Sequence, residues 1–539
     1  MTFIILTIIV NRAKLSSSTF KFWLSDHGLS LAVDKCQAVV FTRKRSIPTF
    51  NFSLEEQPIN LIDKAKFLGI ILDRKLNGIA HSQYISRKCE KGINVLRAVA
   101  GVWWGAHAYS LKLLYNALVR SHIDYCLFIL DPLNKTTSEL LNRIQYRSLR
   151  IVLGAMKSSP TNALQVECVD PPLHLRRQYL CDRFISKTLH LSSHPLWSKL
   201  TQLSVVLRPS NPSSCLLNSF EKFTNLPHPL SSLSINPLYS TSYEALVYNP
   251  PVITDLGLTK DAPDTNTKFQ EIVHQNWSNY LFIYTDASKL SPESCVGAAC
   301  WVPKYKIVLQ FKCPPETSVF TGEAVALLEA ILFARSHNIK QTVIFTDSLS
   351  CLYSIRENPF RTWIPSHSGI SGNESADSCA KAAVQLGSLE HFKNYSHDLS
   401  TLAKNYLDKS WQSFWNQSKT IKGKFYASIQ PDIPKRPWFF LHRYAVRWVT
   451  STISRLRLAH ACTPVHLNKI RVRDHSLCEC GLVTKAQFPI SCPKLLHPLY
   501  DVLPPKFPRP LNVECLLMSV FSPYCKFICK YIQCNNIKL

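Results

Sequence analysis

Two apolar runs that each end on an aspartate constrain the fold of this chain more than any other feature. The runs are Leu281-Phe-Ile-Tyr-Thr-Asp286 and Val343-Ile-Phe-Thr-Asp347, and their aspartates are 61 residues apart. Short, continuous apolar runs are typical of strands that are buried on both faces, as in parallel sheets. Because the carboxyl ends of parallel strands meet at one edge of a sheet, we expect the two carboxylates to lie close together there.

A third acid lies between these runs, on a helix predicted at about 318–336, which follows strand-like runs at 296–302 and 307–311. Glu329 is expected on the solvent side of this helix. Glu323 is expected on the apolar stripe, whose other members are Leu327, Ala330 and Ala334. A carboxylate beside an apolar stripe is costly to bury unless it is paired or binds a cation.

A fourth acid, Asp377, is predicted one turn into a later helix, for which Asn373 is the expected cap. Any one of the four acids, taken alone, is more typical of a turn or cap. Four converging carboxylates suit hard divalent cations such as Mg²⁺, and pairs of such ions hydrolyse phosphodiesters. The ordered set therefore favours a metal-dependent nuclease.

Four motifs within 281–385 resemble, in their order, a known family. They are Tyr284-Thr-Asp-Ala-Ser288, Thr321-Gly-Glu-Ala324, Phe345-Thr-Asp-Ser348 and Trp363-Ile-Pro-Ser-His-Ser-Gly-Ile-Ser-Gly-Asn-Glu-Ser-Ala-Asp377. This pattern is similar to the type 1 ribonuclease H domain of jockey-like non-LTR retrotransposon polyproteins. The resemblance implies a mixed five-stranded sheet with flanking helices that cuts the RNA strand of RNA–DNA hybrids.

The resemblance also implies roles for five residues. Asp286, Glu323, Asp347 and Asp377 would hold Mg²⁺ or Mn²⁺, and His367 would lie on the loop before the last helix and help product leave. An exposed loop residue without a role remains the alternative for His367.

The sequence departs from that family at 358–363. Only Arg361 and Thr362 separate Asn358-Pro-Phe360 from Trp363, where the family has a further helix and most of the fifth strand. We therefore expect a truncated fifth strand and a less covered sheet face. Ribonuclease activity then depends on whether Asp377 still reaches the other carboxylates.

Upstream, Phe22-Trp-Leu-Ser-Asp-His-Gly-Leu and Lys66-Phe-Leu-Gly-Ile-Ile-Leu-Asp73 resemble the last palm motifs of a retrotransposon reverse transcriptase. The basic helices predicted at 81–200 resemble its thumb and connection. No Tyr/Phe-x-Asp-Asp pair precedes Phe22, so we expect no polymerase activity. Binding to a primer-template stays open, because Lys and Arg make the phosphate contacts.

Downstream, two patterns each leave two interpretations open. Cys478, Cys480 and Cys492 resemble a terminal Cys/His knuckle, but Gln487 occupies the position of its usual histidine. This favours a local turn with buried thiols over a zinc site, although His475 or His497 could complete one. The aromatic and basic run 435–448 either stacks bases or forms a helix with an aromatic core face.

Charge divides the chain into regions. Lys and Arg exceed Asp and Glu by 14 in 1–200 and again in 389–539, whereas 278–388 is balanced. Basic segments of this kind are typical of nucleic-acid partners. The predicted organisation is a partial palm remnant at 1–80, a helical thumb- or connection-like region at 81–200, a linker at 201–277, the ribonuclease H-like domain at 278–388 and a basic region with a degenerate Cys knuckle at 401–539.

The location of the protein is predicted from its cysteines and apolar runs. Its 19 scattered cysteines are typical of reduced thiols in the cytoplasm or nucleus. The apolar run 3–10 is too short to cross a membrane and predicts a buried strand.

The favoured hypothesis is thus an RNA–DNA hybrid ribonuclease within a retrotransposon-derived protein that lacks polymerase activity. The alternatives are a catalytically inactive nucleic-acid-binding remnant of such a polyprotein and a remnant with no function.

Overall fold

The computed structural model describes most of the helical and sheet-forming parts of the chain. The described residues are 22–30, 57–125, 133–191, 194–206, 214–226, 252–258, 263–356, 371–387, 395–461 and 464–477, with the short stretches 4–5, 32–33, 36–42, 53–54, 127–129, 362–363, 517–518 and 525–535. The chain is mixed α/β and forms two compact units. The first comprises Met1–Leu180, Ser213–Cys215 and Leu407–Leu539, and the second comprises Cys181–Pro212 and Leu216–Tyr406.

The strands of the first unit are short. They are β1 (Ile4–Ile5), β2 (Gln37–Ala38), β3 (Ser53–Leu54), β4 (Gln57–Pro58), β5 (Asn60–Leu61), β6 (Lys64–Phe67) and β7 (Ile70–Asp73). The second unit contains β8 (Leu281–Lys289), β9 (Val296–Val302), β10 (Ile307–Cys313), β11 (Thr342–Thr346) and β12 (Thr362–Trp363).

Helices make up most of the described chain. They are α1 (Ile79–Val99), α2 (Ala108–Tyr115), α3 (Ser121–Asp124), α4 (Lys135–Leu153), α5 (Thr161–Glu167), α6 (Leu173–Thr188), α7 (Leu196–Val206), α8 (Cys215–Thr224), α9 (Thr265–Trp277), α10 (Val319–Ser336), α11 (Leu349–Arg356), α12 (Ser371–Leu386), α13 (Ser396–Ser418), α14 (Lys424–Ile429), α15 (Arg447–Arg457), α16 (Pro464–Lys469) and α17 (Cys525–Cys534). A π-helical turn, Asn116–Arg120, joins α2 to α3. None of the helices in the described ranges has both the length and the apolar character needed to cross a membrane.

The strand-like runs near the start of the chain are only partly strands. Within 3–10 only β1 is described, and it pairs in parallel with β2. The apolar run 67–72 belongs to a hairpin in which β6 and β7 pair antiparallel. Leu68 and Gly69 form its turn, and both have positive φ angles, of 44° and 86°. That backbone conformation is easily adopted by glycine and explains why the chain reverses here.

The helical core of the first unit contains residues from both ends of the chain. Leu111 of α2 and Leu141, Ile144 and Leu149 of α4 are buried in this core, on the apolar faces of their helices. Trp415 of α13 lies in the same cluster, together with Trp438, Phe439 and residues of α15. Segments that are more than 200 residues apart in sequence therefore form one core.

The run 435–448 belongs to this core. Trp438 and Phe439 are fully buried in a short 3₁₀ helix, so they cannot stack on bases. Arg447 is also buried, and its guanidinium donates to the carbonyl oxygens of Val152 at 2.6 Å and Ile151 at 2.8 Å, at the end of α4. The core-face interpretation is therefore confirmed for these residues, although the run does not form one continuous helix.

A buried ion pair links α5 to α15 in the first unit. Glu167 accepts from Nε of Arg457 at 3.0 Å and 3.1 Å, and both side chains are almost fully buried. Its oxygens also accept from Oη of Tyr426 and Nε1 of Trp438, each at 2.7 Å. The carboxylate therefore satisfies three buried donor groups, one of them charged.

The second unit is built on a five-stranded sheet in the order β10-β9-β8-β11-β12. β8 pairs antiparallel with β9 and parallel with β11, so the sheet is mixed. Ile283 of β8 packs in one cluster with Ala326 of α10, whereas Tyr284 packs in another with Ala376 of α12. Since successive residues of a strand face opposite sides, α10 and α12 cover opposite faces of the sheet.

Close approach of α12 to the sheet requires a glycine. A Cβ atom at Gly297 of β9 would collide with the carbonyl oxygen of Ala380 on α12. The described part of the fifth strand, β12, is Thr362–Trp363, and it pairs in parallel with β11. Residues 357–361 of the shortened junction lie outside the described residues.

We predict that Glu167→Gln lowers the free energy of unfolding by about 3–5 kcal/mol, because the buried guanidinium of Arg457 loses its counter-charge. Urea unfolding of the full chain measures this effect. Glu90→Gln is the matched control, because Glu90 pairs with Arg97 and Arg147 at the surface, and its cost should stay below about 1 kcal/mol. Equal losses in the two variants would contradict the structural role of Glu167.

Candidate metal centre

The register of the sheet places Asp286 and Asp347 side by side. Thr285 of β8 is paired with Thr346 of β11. Asp286 is the next residue of β8, and Asp347 directly follows the end of β11. Oγ1 of Thr285 donates to the carbonyl oxygen of Phe345 at 3.3 Å, which adds a further bond between the two strands. Asp347 directly follows the end of β11, as predicted, whereas Asp286 lies inside β8, which continues to Lys289 instead of ending at the acid.

Glu323 reaches the same edge from α10. This helix begins at Val319 after the cap residue Ser318, which agrees with the predicted bounds of 318–336. Glu323 is buried on the stripe that also contains Leu327, Ala330 and Ala334, as predicted. Glu329 is half-buried rather than solvent-facing, because the apolar surface of α10 is broader than the one stripe used to place it.

The three carboxylates form one compact cluster. One oxygen each of Asp286, Glu323 and Asp347 lie within 4.8 Å of one another. The backbone N–H of Ala287 donates to Oδ1 of Asp286 at 2.7 Å and to Oε1 of Glu323 at 3.2 Å. Oε2 of Glu323 is buried and has no hydrogen-bond partner. Hard oxygen ligands this close together, one of them buried and unpartnered, fit a divalent cation.

The electrostatics of the cluster disfavour three negative charges without a cation. Burial, together with the charges of Asp347 and Asp377, raises the pKa of Asp286 to about 7. Burial and the charges of Asp286 and Asp347 raise the pKa of Glu323 well above its usual range. Near neutral pH the cluster can therefore be stabilised either by a retained proton or by a bound cation.

Asp377 lies near this cluster but outside its closest group of oxygens. Its charge contributes to the raised pKa of Asp286, yet its own carboxylate bonds Nζ of Lys381 at 2.5 Å, one turn further along α12. The expected cap residue of this helix, Asn373, was predicted wrongly. α12 begins at Ser371, so Asn373 lies inside the helix, where it is buried.

Several predicted site residues cannot be placed. His367 lies outside the described residues, and so do Cys478, Cys480, Cys492, Gln487 and His497 of the knuckle-like pattern. Their roles stay predictions.

One residue that bears on the site was missed from the sequence. Asp398 of α13 is fully buried, and its Oδ1 accepts from the N–H of Ser318 at 3.0 Å and from Oγ1 of Thr321 at 2.9 Å. It therefore anchors the start of α10, five residues before Glu323. In the sequence Asp398 resembles an ordinary first-turn acid of its own helix, and no local signal connects it to α10.

Two comparisons with known proteins found no match. No protein-family model matches the chain, and a search of the curated proteins found no match.

The stability of the protein in EDTA should fall as pH rises from about 4 to about 7. Folded Asp286 keeps its proton up to about pH 7, whereas the unfolded chain loses it near its usual pKa of 3.8. Its contribution to stability is thus fully present below pH 3.8 and is lost by about pH 7, at up to about 1.4 kcal/mol for each pH unit. Thermal unfolding between pH 4 and 8 measures this dependence.

Asp286→Asn should flatten that profile, raise the Tm at pH 8 in EDTA, and abolish the increase in Tm that Mn²⁺ gives the parent protein. Asp264→Asn is the matched control, because Asp264 is half exposed and pairs with Lys268 at the surface. If Asp286→Asn and the parent protein had the same pH profile, the carboxylate cluster would not be the source of the dependence.

Asp398→Ala should destabilise the protein by about 1–2 kcal/mol, because it removes the acceptor at the start of α10. It should also weaken Mn²⁺ binding by about tenfold, since Glu323 loses its fixed position. Calorimetric titration with Mn²⁺ measures the loss of affinity. Asp398→Asn keeps one acceptor oxygen and should therefore retain most of the parent protein's affinity for Mn²⁺. Asp264→Ala is the control, because Asp264 precedes α9 without a side-chain cap hydrogen bond.

Proposed function

We propose that the second unit is a ribonuclease H-like domain that hydrolyses the RNA strand of RNA–DNA hybrids. The observation that supports this most is the cluster of Asp286, Glu323 and Asp347 at the carboxyl edge of a mixed sheet. Three carboxylates with oxygens within 4.8 Å suit Mg²⁺ or Mn²⁺. The motifs that contain them occur in the order typical of type 1 ribonucleases H.

The residues of the cluster have distinct tasks in this proposal. Asp286, Glu323 and Asp347 hold the cations, and Asp377 completes the set once its carboxylate leaves Lys381. Divalent cations, when bound, activate water and stabilise the leaving oxygen of a phosphodiester. The N–H of Ala287 holds Asp286 and Glu323 in place before any cation arrives. An enzyme of this class recognises RNA by its 2′-hydroxyls and needs no base sequence.

A second candidate is a nucleic-acid-binding remnant without catalytic activity. One observation favours it: the carboxylate of Asp377 is bonded to Lys381. Such a remnant would bind hybrids through its basic residues and leave them intact.

The deciding experiment incubates the purified full chain with a labelled RNA–DNA hybrid and Mg²⁺ or Mn²⁺. We expect cleavage of the RNA strand alone, and we expect Asp286→Asn and Asp347→Asn each to reduce the rate by about a hundredfold or more. Asp264→Asn, which carries the same chemical change at an exposed site, should retain the parent rate.

Each alternative result has a clear meaning. Hybrid binding without cleavage, by a protein whose thermal unfolding is cooperative, would support the remnant and reject the enzyme. Equal cleavage by the parent and Asp286→Asn would show that another nuclease causes the activity.

A further inference from the structure

A cavity in the first unit is lined by basic and hydroxyl-bearing residues. Its volume is about 420 Å³, and the residues that line it include Arg150, Lys157 and Lys422 together with Ser158, Ser159 and Thr161. None of the described residues that line it is acidic. The cavity lies in a different unit from the carboxylate cluster, so its argument does not rest on the proposed ribonuclease function.

The fold brings these groups together from two distant segments. Arg150 lies in the last turn of α4, and the chain then passes through residues 157–161 to the start of α5. Asn162 fixes the second segment, because its Nδ2 donates to the carbonyl oxygen of Lys422 at 2.8 Å. Gly423, with φ of 76°, lets the chain turn into α14 directly after Lys422. These contacts fix the backbone of Lys422 at the cavity that Arg150 and Lys157 also line.

Two polar groups of the cavity are buried without a partner. Oγ of Ser159 and Nε of Arg150 make no hydrogen bond, although Ser159 is only 2% exposed. Nη2 of Arg150 makes one long bond, of 3.3 Å, to the carbonyl oxygen of Ser159. Ser158 differs, because its hydroxyl bonds Nδ1 of His460 at 2.8 Å and Nε2 of His466 at 3.3 Å. Buried donors without partners are rare in folded proteins, so a ligand oxygen that reached Ser159 or Arg150 would satisfy a group that the described residues leave unpaired.

We propose that this cavity binds a phosphate group of a nucleic-acid backbone. A phosphate offers several acceptor oxygens, which suit a guanidinium, two ammonium groups and a free hydroxyl. Among the described residues that line the cavity there is no aromatic side chain to stack a base, so the contact is to the backbone and is independent of sequence. The net charge of +26 favours a polyanion over a small phosphate compound.

Binding of a fluorescein-labelled oligo(dT) strand to the full chain in EDTA, followed by anisotropy, tests this site. EDTA prevents metal-dependent cleavage, so failure of the proposed ribonuclease function would not affect the result. The Lys157→Gln/Lys422→Gln double variant should weaken binding by at least about tenfold and reduce the salt dependence of log K by about one per lysine. Ser159→Ala should weaken binding severalfold while the Tm stays unchanged or rises, because the buried hydroxyl it removes has no partner.

Lys91→Gln provides the matched control, because Lys91 is exposed on α1, away from the cavity. The affinity loss of Lys91→Gln should be smaller than the loss per lysine in the double variant. Equal losses would overturn the proposal and indicate a diffuse basic surface. Parent-level binding by Ser159→Ala would overturn it as well. Displacement of the oligonucleotide by inorganic phosphate below about 1 mM, far below what non-specific competition requires, would overturn the assignment to a nucleic-acid backbone and indicate a site for free phosphate.

Discussion

Mutual repulsion among Asp286, Glu323 and Asp347 is the constraint that the rest of the second unit has to overcome when it folds. Three carboxylates with oxygens within 4.8 Å, two of them buried, oppose folding unless a proton or a cation reduces their charge. The surrounding structure holds the carboxylates close together and does not relieve the repulsion between them. Strand register aligns the two aspartates, and the N–H of Ala287 holds the glutamate beside Asp286. A fixed cluster of carboxylates whose negative charges raise one another's pKa is typical of a site that binds a cation.

The parts of this site that could be predicted from the sequence are those with local patterns. An apolar run that ends on an acid predicts a buried strand and the edge at which its carboxylate lies. Helical spacing placed Glu323 on the buried stripe of α10, and Ser318 marked the start of that helix. These inferences need only the chain geometry of one element and the rule that parallel strands end at one edge.

One error was local, whereas the omissions came from contacts between distant segments. Asn373 has the chemistry of a helix cap, but the helix starts two residues earlier and buries it. Asp398 supports α10 from a helix 75 residues beyond Glu323, and Glu167 meets Arg457 across 290 residues. Local periodicity carries no information on which distant side chain supplies a partner, so such pairs are visible only in the folded chain.

Net charge likewise overstates how much of the surface can bind a polyanion. Lys112 is buried against Asp170, Arg457 against Glu167, and Arg447 against the carbonyls that end α4. These cations stabilise the core of the first unit and are not available to phosphate groups. The basic residues of the cavity differ, because Nε of Arg150 lacks an acceptor and none of the described residues that line the cavity with Lys157 and Lys422 is acidic. A surface that binds a polyanion is therefore identified by cations that have no acceptor within the protein. The fold, and not the composition, determines which cations these are.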